Sequence, residues 1–237
     1  MKKSKNTKES VATVEHVCEF CNQKFVREST LLTHACKTKL RWLNKDLQGN
    51  RIAFQTFVQF YKKNSANTKA KTYEDFIKSP YYTAFVKFGD YCLSINAINI
   101  LRFSDWLIKN QIRIDTWCTD SIYTKYLIEH LRVEDPLDAI HRSVETTIKL
   151  AEDESIQPKD VLRYVNGNRI CQHIANGKLS PWILYQSKSG VDFLDTLNET
   201  QVKMIIDYIN PELWKIKFNR EPENVQQVKE ILSAGGY

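Results

Sequence analysis

The chain has 237 residues, 42% of them hydrophobic and 11% aromatic, which is enough to bury a core and excludes an intrinsically disordered protein. Seven glycines and six prolines are too few for the turn-dense pattern of a sandwich or barrel, and no run of eighteen apolar residues marks a membrane span. The net charge of +6 is unevenly placed: residues 1–71 hold 15 Lys/Arg against 5 Asp/Glu, and the remaining 166 hold 19 against 23, so a basic head precedes a mildly acidic body, as in a polyanion-binding protein.

Residues 1–14, beginning MKKSKNTKES, read as a disordered basic tail. No apolar stretch follows these charges to act as a signal-peptide core, which predicts a cytoplasmic protein with no membrane partner. From Val17 the pattern changes to VCEFCNQKFVRESTLLTHAC. Here Cys18-x2-Cys21-x12-His34 is accompanied by Phe25, four residues after the second Cys, and Leu31, three before the His.

This spacing resembles the C2H2 class of zinc finger. In that family two thiolates from a hairpin and imidazole from a helix tie a ββα unit around Zn²⁺, because so short a peptide cannot bury enough surface alone. The departure is at the fourth ligand, since three to five residues beyond His34 stand Lys37, Thr38 and Lys39. Cys36 is the available donor, so the site is read as C2HC, with Zn²⁺ held by Cys18, Cys21, His34 and Cys36. His16 is the alternative fourth ligand. Residues two apart on an ideal helix face away from one another, so the helix must end or tighten near Ala35 for both donors to reach one ion. If the finger docks as family members do, Arg27, Ser29, Thr30 and Thr33 would reach base edges, with Lys37, Lys39, Arg41 and Lys45 on phosphates. Nucleic acid, DNA before RNA, is the expected partner, and a protein is the other candidate.

The finger and its basic helical extension take up 15–48, and a break is expected at Gly49-Asn50. A helical domain is predicted over 49–237, with 154–158 as a further point of subdivision. Within it, Arg51–Lys63 carries an apolar helical face, 64–71 reads as a polar linker, and Thr72 with Asp75 forms a capping box. Ser79-Pro80 starts a longer helix whose Tyr81, Tyr82, Phe85, Phe88 and Tyr91 suit a core face better than a base-stacking platform. Further helices are expected at 96–110, from Thr119 or Asp120 to Arg132, and from Asp135-Pro136, with Leu137, Ile140, Val144 and Ile148 as the buried stripe of the last. Shorter helical pieces follow to the end. The fold class is therefore mainly α, an N-terminal ββα zinc finger followed by an irregular multi-helix domain.

Chemistry in the body is harder to find. No GxxxxGK[ST], GxGxxG or GxSxG occurs, so common nucleotide-binding and hydrolase motifs are missing. The acids at Glu134-Asp135 and 152–154 read as solvated helix ends, and Cys92, Cys118 and Cys171 as reduced and buried. Cys171-x-His173 reads as core, as does VLRYVNGNRICQHIANGK, for which a helix-turn-helix is the alternative. The run from HAC through KLRWL to FVQFY, with SPYYTAFVKFGDYC and SPWILYQSKSG, resembles uncharacterised proteins of large tailed phages. That resemblance implies a viral DNA-metabolism setting in the host cytoplasm. The expected function is a phage-type nucleic-acid-binding accessory protein. The alternatives are a DNA-modifying enzyme targeted by the finger, such as a thymine-hypermodification transferase or glycosylase-like protein, and a virion or assembly component with structural zinc.

Overall fold

The computed structural model describes residues 16–64 and 69–237 and is mainly α-helical, with one two-stranded sheet near its start. The tail expected over 1–14 and residues 65–68 of the expected linker lie outside the described residues. The chain divides into two compact units between Leu93 and Ser94. Among the described residues no helix is long and apolar enough to cross a membrane.

The first unit opens with β1 (His16–Val17) and β2 (Lys24–Phe25), followed by α1 (Glu28–Thr33), α2 (Lys37–Leu43) and a single 3-10 turn, Asn44–Asp46. Then come α3 (Gln48–Asn64), α4 (Tyr73–Lys78) and α5 (Tyr82–Ser94). Gly49 and Asn50 stand within the first turn of α3, not at a break, and both are buried. The glycines have a packing reason: a Cβ on Gly89 of α5 would fall 2.1 Å from the Gly49 carbonyl oxygen, so the two helices cross backbone against backbone. Thr72 caps α4, accepting from the Asp75 N–H while the Asp75 carboxylate accepts from the Thr72 N–H. Phe57, Phe76 and Phe85 fill the core between these helices, with Phe57 and Phe85 edge to face at 5.6 Å. Of the expected core face, Tyr82, Phe85 and Phe88 are buried, Tyr91 is half-buried, and Tyr81, ahead of the first turn of α5, is 48% exposed.

The second unit contains α6 (Ile100–Lys109), a 3-10 turn (Ile114–Thr116), α7 (Asp120–Val133), α8 (Pro136–Glu154), a second 3-10 turn (Pro158–Asp160), α9 (Val161–Tyr164) and α10 (Gly167–Ala175). It closes with α11 (Pro181–Gln186), α12 (Lys188–Asp195), α13 (Glu199–Ile209), α14 (Pro211–Arg220) and α15 (Pro222–Ala234). The centre is α11, whose Pro181, Trp182, Ile183 and Leu184 are all buried, against α8, α12 and α15. Trp182 meets Phe218 at 4.9 Å and Trp214 at 6.2 Å. The four residues of α9 make a single turn, and α10 packs on α13. That arrangement is the core reading of the segment.

The face that α8 buries differs from the predicted stripe. Leu137 and Ile148 are exposed at 42% and 41%, while Ala139, Ile140, Ser143, Thr146, Thr147, Leu150 and Ala151 are buried. The physical reason is that the hydroxyls are satisfied, partly by carbonyls of their own helix and partly by distant segments packed on it. Ser143 Oγ donates to the Ala139 carbonyl and accepts from the Ser180 N–H at 2.9 Å. Thr147 Oγ1 shares a 2.6 Å bond with the Tyr237 hydroxyl. Back-bonded Ser and Thr bury at little cost, so an apolar stripe is not required here.

Two further corrections concern polar groups. Cys118 is exposed, unlike Cys92 and Cys171, because it lies in the loop between buried Trp117 and α7. Glu134 is 3% exposed, so it is no solvated helix end. Its carboxylate accepts a two-pronged contact from Arg142 at 2.7 and 2.8 Å. His130 Nε2 lies 3.7 Å from the same carboxylate.

Burial, with the nearby Arg102 and Arg142 charges, pushes the His130 imidazole down from 6.5 to about 4. A base whose folded pKa is depressed must be neutral to fold, so its contribution is intact above pH 6.5 and is lost as pH falls towards 4. Between pH 7.5 and 4.5, His130→Phe should therefore lose about 2–3 kcal/mol less stability than the parent chain in urea titrations. Glu134, raised by burial despite Arg142, works in the opposite sense and is common to both proteins. Equal acid sensitivity would refute the assignment.

Candidate metal centre

The finger is built from its turns outward. His16 pairs with Phe25 and Val17 with Lys24 in antiparallel register. The Cys18 N–H donates to the Gln23 carbonyl at 2.9 Å, and Asn22 takes the left-handed φ of 58° that closes the knuckle. Asn tolerates that conformation better than most side chains. Helix α1 stops at Thr33, and His34 and Cys36 both have extended backbones, with ψ of 120° and 157°. This is the required break: Ala35 separates two ligands on a non-helical corner, and the basic stretch resumes as α2 with Cys36 as its N-cap, accepting from the Lys39 N–H at 3.4 Å.

The consequence is convergence. The ligand atoms of Cys18, Cys21, His34 and Cys36 all lie within 4.8 Å of one another. Cys18 Sγ is 3.9 Å from Cys36 Sγ, and Cys21 Sγ is 3.2 Å from His34 Nε2. A tetrahedral ion with metal–sulfur bonds of about 2.3 Å sets such edges at roughly 3.5–3.8 Å. The four residues can thus hold one metal ion, and His16, at the start of β1, is not among them.

Burial tends to raise the Cys18 thiol, but the backbones of Phe20 and Cys21 and the sulfurs of Cys21 and Cys36 draw it below its usual value. For Cys21 the Gln23 backbone pulls downward, yet burial and the Cys18 and Cys36 sulfurs leave it above. A second thiolate is disfavoured beside the first, and a cation removes that penalty.

No family model, curated protein or solved structure matches the chain. The resemblance to tailed-phage proteins therefore rests on its quoted segments alone, and the metal cluster carries the functional argument.

The residues expected to meet nucleic acid fall into two groups. Arg27, Ser29, Thr30, Thr33, Lys37 and Lys45 are exposed around α1 and α2, although Thr33 Oγ1 is directed to the Ser29 and Thr30 carbonyls. Lys39 and Arg41 are half-buried and already engaged. Lys39 Nζ donates to the His34 carbonyl at 3.1 Å, and Arg41 donates to the Ile77 carbonyl at 2.6 Å while its guanidinium sits 4.2 Å from the centre of the Tyr82 ring. Arg41 thus bolts α2 to α4 and α5. Sequence reasoning missed Phe20 and Trp42, whose rings meet at 6.1 Å and fasten the knuckle to α2, with Trp42 passing the contact to Tyr73 at 5.8 Å. A knuckle residue and a helix residue 22 positions apart share no local signal.

Proposed function

We propose that residues 16–36 bind Zn²⁺ as a closed structural site and present a basic tip to nucleic acid, DNA in preference to RNA. The protein then acts as a nucleic-acid-binding accessory factor, with the phage DNA-metabolism setting that the quoted segments imply. The carrying observation is the convergence of three sulfurs and one imidazole. Four protein donors leave no open position for a substrate, which favours a structural role, and thiolate with imidazole suits zinc over harder ions. The exposed cations Arg27, Lys37 and Lys45 beside the finger support phosphate contact. A lone finger spans only about three base pairs, so general affinity is expected in place of strong sequence preference.

The test is a salt-dependent anisotropy titration against single- and double-stranded DNA and RNA, with and without chelator. Three phosphate contacts give a slope of about −3 for log K against log salt on duplex DNA. The triple change Arg27→Ala, Lys37→Ala and Lys45→Ala should flatten that slope and weaken all sequences alike. Absence of affinity for every polymer at low salt overturns the proposal.

A further inference from the structure

In the second unit, α6 and α7 line an open groove of about 440 Å³, within the range of about 300–1,000 Å³ usual for small-molecule sites. One wall is Arg102, Asp105, Trp106 and Lys109, the other Tyr126, Glu129, His130 and Val133. Each set repeats at i, i+3, i+4 and i+7, so two whole helix faces meet at the groove. A solvated charged face would explain exposed side chains here. It does not explain the aromatic floor.

That floor is fixed in place. The Trp106 indole N–H donates to a Glu129 carboxylate oxygen at 2.6 Å. The Trp106 and Tyr126 rings meet at 6.0 Å, and Tyr126 stacks on His130 at 5.3 Å with 15° between planes. The Tyr126 hydroxyl donates to the Asn99 carbonyl at 3.2 Å. The His130 side chain is 3% exposed, and its Nδ1 has no hydrogen-bond partner. A buried polar atom left unpartnered beside a groove is costly unless something supplies the missing bond.

The charge around the floor is positive. Arg102, Lys109 and Arg132 line the groove with two acids, Asp105 and Glu129, and Glu129 already accepts from Trp106. Among the described residues no side-chain hydrogen bond or ion pair engages these three cations. Arg132 also borders a neighbouring depression of about 250 Å³ that contains Arg220, so the cations continue past the groove.

We propose that this groove binds a nucleoside phosphate, its base against Trp106 and its phosphate among Arg102, Lys109 and Arg132. A flat π-face and unpaired cations within one small groove are the complements of a base and its phosphate. The depression at Arg220 suits the next phosphate of a single strand. The site is separate from the finger and does not depend on the finger's binding nucleic acid.

The test is calorimetric titration of the full chain with a mononucleotide, a short single-stranded oligonucleotide and inorganic phosphate. Trp106→Leu should weaken nucleotide and oligonucleotide by about ten-fold or more, and Arg132→Glu should weaken both further at low salt. Circular dichroism verifies that each variant folds. A finger variant such as Cys21→Ser should retain the interaction, which separates this site from the finger. Tighter binding of the oligonucleotide assigns the groove to a strand, and equal binding assigns it to a free nucleotide. No binding, affinity indifferent to Trp106, or phosphate binding as tight as nucleotide would each overturn the proposal.

Discussion

Stripping the metal with a chelator, or replacing Cys18 by Ser, is expected to unfold residues 16–36 outright. Within that segment Cys18 is the only buried residue, and neither α1 nor α2 buries a side chain. Phe25 and Leu31 are only half-buried, so the hydrophobic contribution is far below what fixing some twenty residues costs at about 1–2 kcal/mol each. A bound metal is expected to supply the difference, as structural zinc does with about 10–16 kcal/mol in finger peptides at neutral pH. The measurement is backbone NMR with metal titration. Amides of 16–36 should collapse into the unfolded region without metal and return at one equivalent. Cobalt in place of zinc should give the visible absorption of a tetrahedral thiolate site, lost in Cys36→Ser if Cys36 is the fourth ligand. Retention of the β1–β2 pairing in the metal-free chain would sink the site.

The same energetics explain why this part of the protein was legible in the sequence. A metal site is specified by donor type and spacing, both local, so Cys18, Cys21, His34 and Cys36 could be read directly, and the two-residue step from His34 to Cys36 required the helix to end or tighten near Ala35. Caps were equally legible at Thr72 and Asp135, where one side chain accepts from backbone two or three residues on. What failed was whatever depends on distant partners. The polar face of α8 is buried because Ser180 and Tyr237 arrive to share its hydroxyls, from 37 and 90 residues away. Arg41 looked like a phosphate ligand, and becomes a clamp only because Ile77 and Tyr82 fold beneath it. The groove between α6 and α7 required knowing how those helices pair.

Arg142→Met is expected to cost about 3–5 kcal/mol, because it strips a buried carboxylate of its partner. The Glu134 side chain is 2% exposed, and Arg142 supplies both of its short contacts. The guanidinium also donates through Nε to the Gly177 carbonyl at 2.7 Å. Gly177 has φ +71°, and a Cβ there would lie 2.6 Å from Leu127 Cδ1, so this turn is held in a shape that only glycine fits well. Met keeps the stem and loses all three bonds, which frees the turn leading into buried α11. The penalty should depend on pH in a definite direction. Burial already holds Glu134 above its ordinary 4.5, and without the guanidinium it rises further, so the folded variant retains a proton that the unfolded chain releases. The penalty relative to the parent chain must then grow as pH rises above 4.5, and should be larger at pH 8 than at pH 5, His130 being common to both proteins. Urea titrations at both values check this. The double change Glu134→Leu with Arg142→Met should recover much of the loss, since removing a whole buried pair is often neutral. If the double variant is no better than Arg142→Met alone, the unpaired charge is not the cause. The lost Gly177 contact would then carry the effect.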